Sequence, residues 1–85
     1  MNIEMLLNER EKTHGSYGEQ SRTAQLLKRR MRMMPNWERM PAYMHESLEM
    51  IATKIARLGH GDYGNVDSAV DISGYAELMA REMRK

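Results

Sequence analysis

Residues 41–61, PAYMHESLEMIATKIARLGHG, and residues 67–83, DSAVDISGYAELMAREM, decide the fold. In the first stretch Met44, Leu48, Ile51, Ile55 and Leu58 recur at i, i+4, i+7, i+11 and i+14, which is one face of an α-helix. Pro41 suits the first turn, where a missing N–H is harmless. Gly59, Gly61 and Gly64 break the pattern. The second stretch predicts a helix from about Asp67 that buries Ile72, Ala76, Met79 and Met83. A connector of about eight residues, Gly59 to Val66, folds the two helices into an antiparallel hairpin. In that hairpin Lys54 lies level with Asp71. Glu46 and Glu49 then fall further from the connector, by roughly 7–9 Å at 1.5 Å rise per residue.

Working outward, Ile3, Leu6 and Leu7 mark a short N-terminal helix ending near Thr13, where His14-Gly15-Ser16 supplies a stop. Ser16 or Ser21 caps a second helix with the stripe Ala24, Leu27, Met31 and Met34, and Pro35 ends it. Asn36 to Arg39 is a connector, with Trp37 expected to plug the edge of the core. Neither β-type alternation nor an internal repeat is present. The expectation is an all-α fold of four helices in a single domain over residues 1–85, with helices three and four paired as the hairpin.

Composition narrows the classes. With 85 residues the chain buries only about 60–65% of its unfolded surface. Cysteine is absent, so no disulfide or thiolate metal site staples it. Stability is therefore expected to come from helix packing, from self-association, or from both, with oligomerisation completing the fold. Three scattered histidines (His14, His45, His60) argue against zinc, and a net charge of +1 argues against a polyanion binder by overall charge. No apolar run approaches membrane-spanning length, and MNIEMLLNEREK lacks a signal-peptide core, so a cytoplasmic location without membrane contact is expected. Ten methionines and no phenylalanine read either as adaptable core filler or as a surface for varied partners.

Four carboxylates carry the sharpest chemical signal. Glu46 and Glu49 are three apart on helix three, and Asp67 and Asp71 are four apart on helix four, so each pair shares a helix face. Hard oxygen donors of this kind are what Mg²⁺ requires. At 100° per residue, however, the two glutamates lie opposite the Leu48/Ile51/Ile55 stripe, and they join a site only if a second surface covers that side. Plainer readings stand beside this one. Glu46 sits near a helix start, Asp67 reads as an N-cap, and Asp71 can pair with Lys54 across the hairpin. Gly74, before Tyr75, costs a helix about 1 kcal/mol against alanine and suggests close approach of a backbone or ligand.

Helix two is locally basic, with Arg22, Lys28, Arg29, Arg30 and Arg32. These charges read either as a solvated face or, through Arg29 and Arg30, as contacts to phosphate or nucleic acid. No aromatic in this segment stacks bases, which weakens single-strand recognition. The THGSYGE turn reads either as a plain turn or as an anion cradle at the start of helix two.

The order NEREKTHGSY, PNWERM, HESLEMIATKIARL and DSAVDISGYAELM resembles a family of small uncharacterised proteins of tailed phages and prophages, over nearly the whole chain. The two-helix unit is also similar to the MazG-like all-α nucleoside-triphosphate pyrophosphohydrolases, which carry E-E-x-x-E on one helix and E-x-x-D on the next. That resemblance implies Mg²⁺ held by Glu46, Glu49 and Asp71, cleavage between the α- and β-phosphates, and a dimer or tetramer. If such a site works, Lys54 or Arg57 would neutralise phosphate charge, His45 would give a proton or a hydrogen bond, and hydrolysis would vanish in Glu49→Gln. At Gly74 and Tyr75 helix or subunit contact is the plainer reading, with nucleotide contact at Tyr75 as the alternative. Two positions depart from the pattern: His45 and Ser68 stand where the family has glutamates. The chain accordingly reads first as a phage accessory protein binding a nucleotide or a host protein. Its alternatives are a Mg²⁺-dependent pyrophosphohydrolase and a nucleic-acid binder.

Overall fold

The computed structural model describes residues 2–85, all-helical and without a strand among them. Helix α1 (Ile3–His14) begins at Asn2, whose side-chain oxygen accepts the Met5 N–H at 2.8 Å. It ends at Gly15, which takes a φ of +82° that side-chain-bearing residues rarely adopt. Ser16 rather than Ser21 caps α2 (Tyr17–Arg32), its hydroxyl accepting the Glu19 N–H. A single 3₁₀ turn, Trp37–Arg39, follows the Pro35 stop. Pro41 stands immediately before α3 (Ala42–His60) as its cap. Helix α4 (Val66–Met83) starts slightly earlier than expected, because Asn65 accepts the Ser68 N–H at 2.9 Å and takes the capping role. Asp67 is therefore exposed in the first turn, where its charge complements the helix dipole.

Helix α3 is the middle of a layer. It packs most extensively on α4 and next on α2, while α1 touches α2 and α3 much less. The α3–α4 hairpin is antiparallel with the expected register, Lys54 Nζ lying 2.9 Å from Asp71 Oδ2. Gripped on two flanks, α3 is most enclosed at Ser47, Ala52 and Ala56. The Met44–Leu58 stripe lies between the two seams, so most of it is half-buried and Ile55 is 48% exposed. Helix α4 packs chiefly on α3 along a narrow face where Ser68 is buried and Ile72, Tyr75 and Met79 are half-buried. Ala76 and Met83, expected inside, are exposed.

The resulting core is thin. Among the described residues Ala24, Trp37, Ala52 and Ala56 are its buried apolar residues, and no large side chain is fully enclosed. Trp37 does close the edge as expected, stacked on His45 with ring centroids 4.3 Å apart. The radius of gyration is 14.5 Å, against roughly 12 Å for a compact chain of this length. No helix among the described residues is long and apolar enough to cross a membrane.

Candidate functional site

The carboxylates of the hairpin are distributed over both flanks of α3. Glu49 faces α2, where its Oε1 accepts from Arg32 Nη2 at 2.5 Å and from Arg32 Nε at 3.1 Å. Asp71 faces the other flank and holds Lys54, whose side chain is only 14% exposed. Glu46 points into solvent between them, and Asp67 is exposed on the first turn of α4. No group of three or more histidine, aspartate or glutamate side chains able to hold a metal occurs among the described residues. Within one chain the donor set read for Mg²⁺ is therefore not assembled, and two of its members already carry a cation. The departure from a single face follows from the position of α3 in the middle: i,i+3 neighbours can share a helix face while only one of them reaches the adjoining helix.

The other residues singled out from sequence are dispersed as well. His45 is committed to Trp37, with Nε2 2.6 Å from the Trp37 carbonyl oxygen and its ring on the indole. That contact orients His45 towards the 3₁₀ turn. Arg29 and Arg30 are exposed on the outer side of α2, while Arg32 is tied to Glu49. Tyr75 is half-buried and borders a shallow groove with Val70, Asp71, Gly74 and Leu78. A Cβ at Gly74 would meet nothing within 4 Å, so no close backbone approach explains that glycine inside one chain.

A different corner is tightly built. A Cβ on Gly15 would collide with the His60 carbonyl, and one on Gly61 would collide with the Thr13–His14 backbone. The α1–α2 turn is thus pressed backbone to backbone on the end of α3. Asp62 N–H donates to the Thr13 carbonyl at 2.8 Å, and Thr23 Oγ1 and His60 Nε2 lie 2.6 Å apart. A cavity of about 580 Å³ opens beside this junction, walled by Leu7, Arg10, Glu11, His14, Tyr17 and Arg57. Arg57 was read as a phosphate neutraliser, whereas Arg10 and His14 were not singled out individually. The signal available for them was the THGSYGE turn itself, whose glycine marks the point where α1 and α2 meet α3.

No family profile, curated protein or solved structure matches the chain.

Proposed function

We propose that the chain is a small non-catalytic helical binding module, built on a MazG-like hairpin and working as a homodimer joined along α4. The observation that carries this reading is the outer stripe of α4. Val66, Val70 and Leu78 are 70%, 60% and 54% exposed, and Gly74 lies between the last two at i, i+4, i+8 spacing. A glycine in the middle of such a stripe permits a second helix backbone to come close.

The exposed area supports a second copy as the occupant. The chain exposes 6364 Å², about 1,200 Å² more than the ~5,200 Å² expected of a compact monomer of its mass. A standard interface hides about 800 Å² on each partner, so the surplus is of the size one dimer contact removes. Large exposed apolar patches on a soluble chain mark interaction surfaces. The resemblance of its motif order to small tailed-phage proteins favours an accessory role in the host cytoplasm, with a nucleotide or a host protein as the ligand.

The ion pairs Arg32–Glu49 and Lys54–Asp71 favour binding over hydrolysis, since both carboxylates would have to release a cation before taking Mg²⁺. The test is pyrophosphate release from a panel of nucleoside triphosphates with Mg²⁺. The reading predicts none above the protein-free rate. Release that disappears in Glu49→Gln would establish the Mg²⁺-dependent pyrophosphohydrolase instead, with Glu46, Glu49 and Asp71 completed by the second copy.

A further inference from the structure

We infer that the cavity between α1, the start of α2 and the end of α3 binds the phosphate group of a small phosphorylated molecule through Arg10 and Arg57, without a metal ion. This names a ligand class for the proposed module, and it stands independently of the α4 dimer.

Four observations converge on an anion. Arg10 and Arg57 both line the cavity, and neither takes part in a salt bridge among the described residues. Two nitrogens of its lining residues, His14 Nδ1 and Arg57 Nε, are buried and have no hydrogen-bond partner. Buried polar atoms in folded proteins are nearly always partnered, so two orphans among the lining residues mark a corner whose polar groups the chain does not satisfy by itself. Guanidinium donors suit phosphate oxygens, which accept charge-assisted and bidentate hydrogen bonds.

The backbone adds to this. At the start of α2 the Glu19 N–H is taken by the Ser16 hydroxyl and the Gln20 N–H by the Ser16 carbonyl. The Tyr17 and Gly18 N–H groups belong to the first turn, which has no acceptor within the helix, and both residues line the cavity. Gln20, itself only 6% exposed, contributes an amide to the same wall.

Electrostatics agree with the geometry. The His14 imidazole titrates below its ordinary value because it is desolvated and because Arg57, Lys54 and Arg10 all face it. Lys54 is neutralised by Asp71, and Glu11 is the acidic residue on the cavity wall. One carboxylate thus opposes two guanidiniums, an imidazole and a helix start. Leu7 and the Tyr17 ring add an apolar and an aromatic surface to the wall. Leu7 and Tyr17 are 57% and 78% exposed, which leaves the Tyr17 ring free to stack on the body of a ligand. A volume of about 580 Å³ falls within the 300–1,000 Å³ usual for small-molecule sites.

The experiment is calorimetric titration of the full chain in EDTA with adenosine monophosphate, inorganic phosphate and adenosine. Adenosine monophosphate is expected to bind at least tenfold more tightly than adenosine and more tightly than inorganic phosphate. Arg10→Gln, at an exposed position, and Arg57→Lys should each weaken it about tenfold or more. Thermal unfolding of both variants guards against a folding defect in Arg57→Lys. In NMR titrations the His14 pKa should rise when the monophosphate is present, because the anion favours the imidazolium. Equal binding of adenosine and its monophosphate, no binding in EDTA, or wild-type affinity in Arg10→Gln would overturn the inference. Binding that needs Mg²⁺ and is lost in Glu49→Gln would move the ligand to the hairpin carboxylates. None of these outcomes bears on whether α4 dimerises.

Discussion

Two glycine-centred regions of this small protein stand in opposite states. At the α1–α2 turn, Gly15 and Gly61 are pressed against backbone from another helix, and a methyl group on either would strike main-chain atoms. On the outer face of α4, Gly74 meets nothing within 4 Å, although it sits mid-helix where alanine would be preferred. The first region shows a glycine whose reason is complete inside one chain. The second has every local mark of a close contact, namely flanking exposed apolar residues and a missing side chain, but no neighbour. That contrast separates what the chain builds alone from what the proposed dimer would complete.

The contrast is sharpest under a common substitution. Gly15→Ala combines a strained φ with a backbone collision, and Gly61→Ala brings a collision that neither neighbouring backbone can relieve cheaply. Each should lower unfolding stability by on the order of 3 kcal/mol, read by urea denaturation. Gly74→Ala should do the reverse to an isolated chain and stabilise it by about 1 kcal/mol, while weakening self-association by crowding the α4 contact. If Gly74→Ala destabilises the monomer, or leaves association untouched, the distinction between the two regions fails.

Smaller effects come from the two flanks of α3. Asp71→Asn leaves the mostly enclosed Lys54 ammonium without its counter-charge and should cost about 1 kcal/mol, discounted because Asp71 itself is half exposed. Glu49→Gln removes a more exposed pairing, with Arg32, and should cost less than about 1 kcal/mol in the same assay. Equal losses would mean that the α4 flank is no better enclosed than the α2 flank.

The smallest expected signal is a pH dependence. The His14 pKa is lowered in the folded state, so the unfolded chain binds a proton more readily at mildly acid pH. Stability from this group is fully present above the ordinary pKa of 6.5 and is lost as pH falls towards the folded value. Denaturation midpoints measured from neutral to mildly acid pH should decline, and His14→Gln should flatten the decline.

Much of the fold was legible because short-range chemistry fixed it. Glycine and proline punctuation located the helix ends approximately, although α3 continues through Gly59 and stops at Gly61; the 3.6-residue stripe identified α3, and counting along the hairpin placed Lys54 opposite Asp71. Burial was less legible. A stripe predicts one buried face, but α3 is held on two flanks, so Ala52 and Ala56 were enclosed in preference to Ile55. The start of α4 shifted because Asn65 competes with Asp67 for the same cap. The approach of Gly15 to His60 and of Gly61 to Thr13 and His14 joins positions far apart in sequence, and no local pattern encodes it. The carboxylate set lies on α3 and α4. Its convergence depended on which neighbouring helix each face meets, and that is a tertiary property.

Sedimentation equilibrium of the wild-type chain and of Leu78→Glu tests the central claim most directly. The account predicts a wild-type mass near twice 9.9 kDa, and a folded monomer once a charge is placed on the α4 stripe. A wild-type chain that remains monomeric at high concentration, or a Leu78→Glu chain that still dimerises, would contradict it.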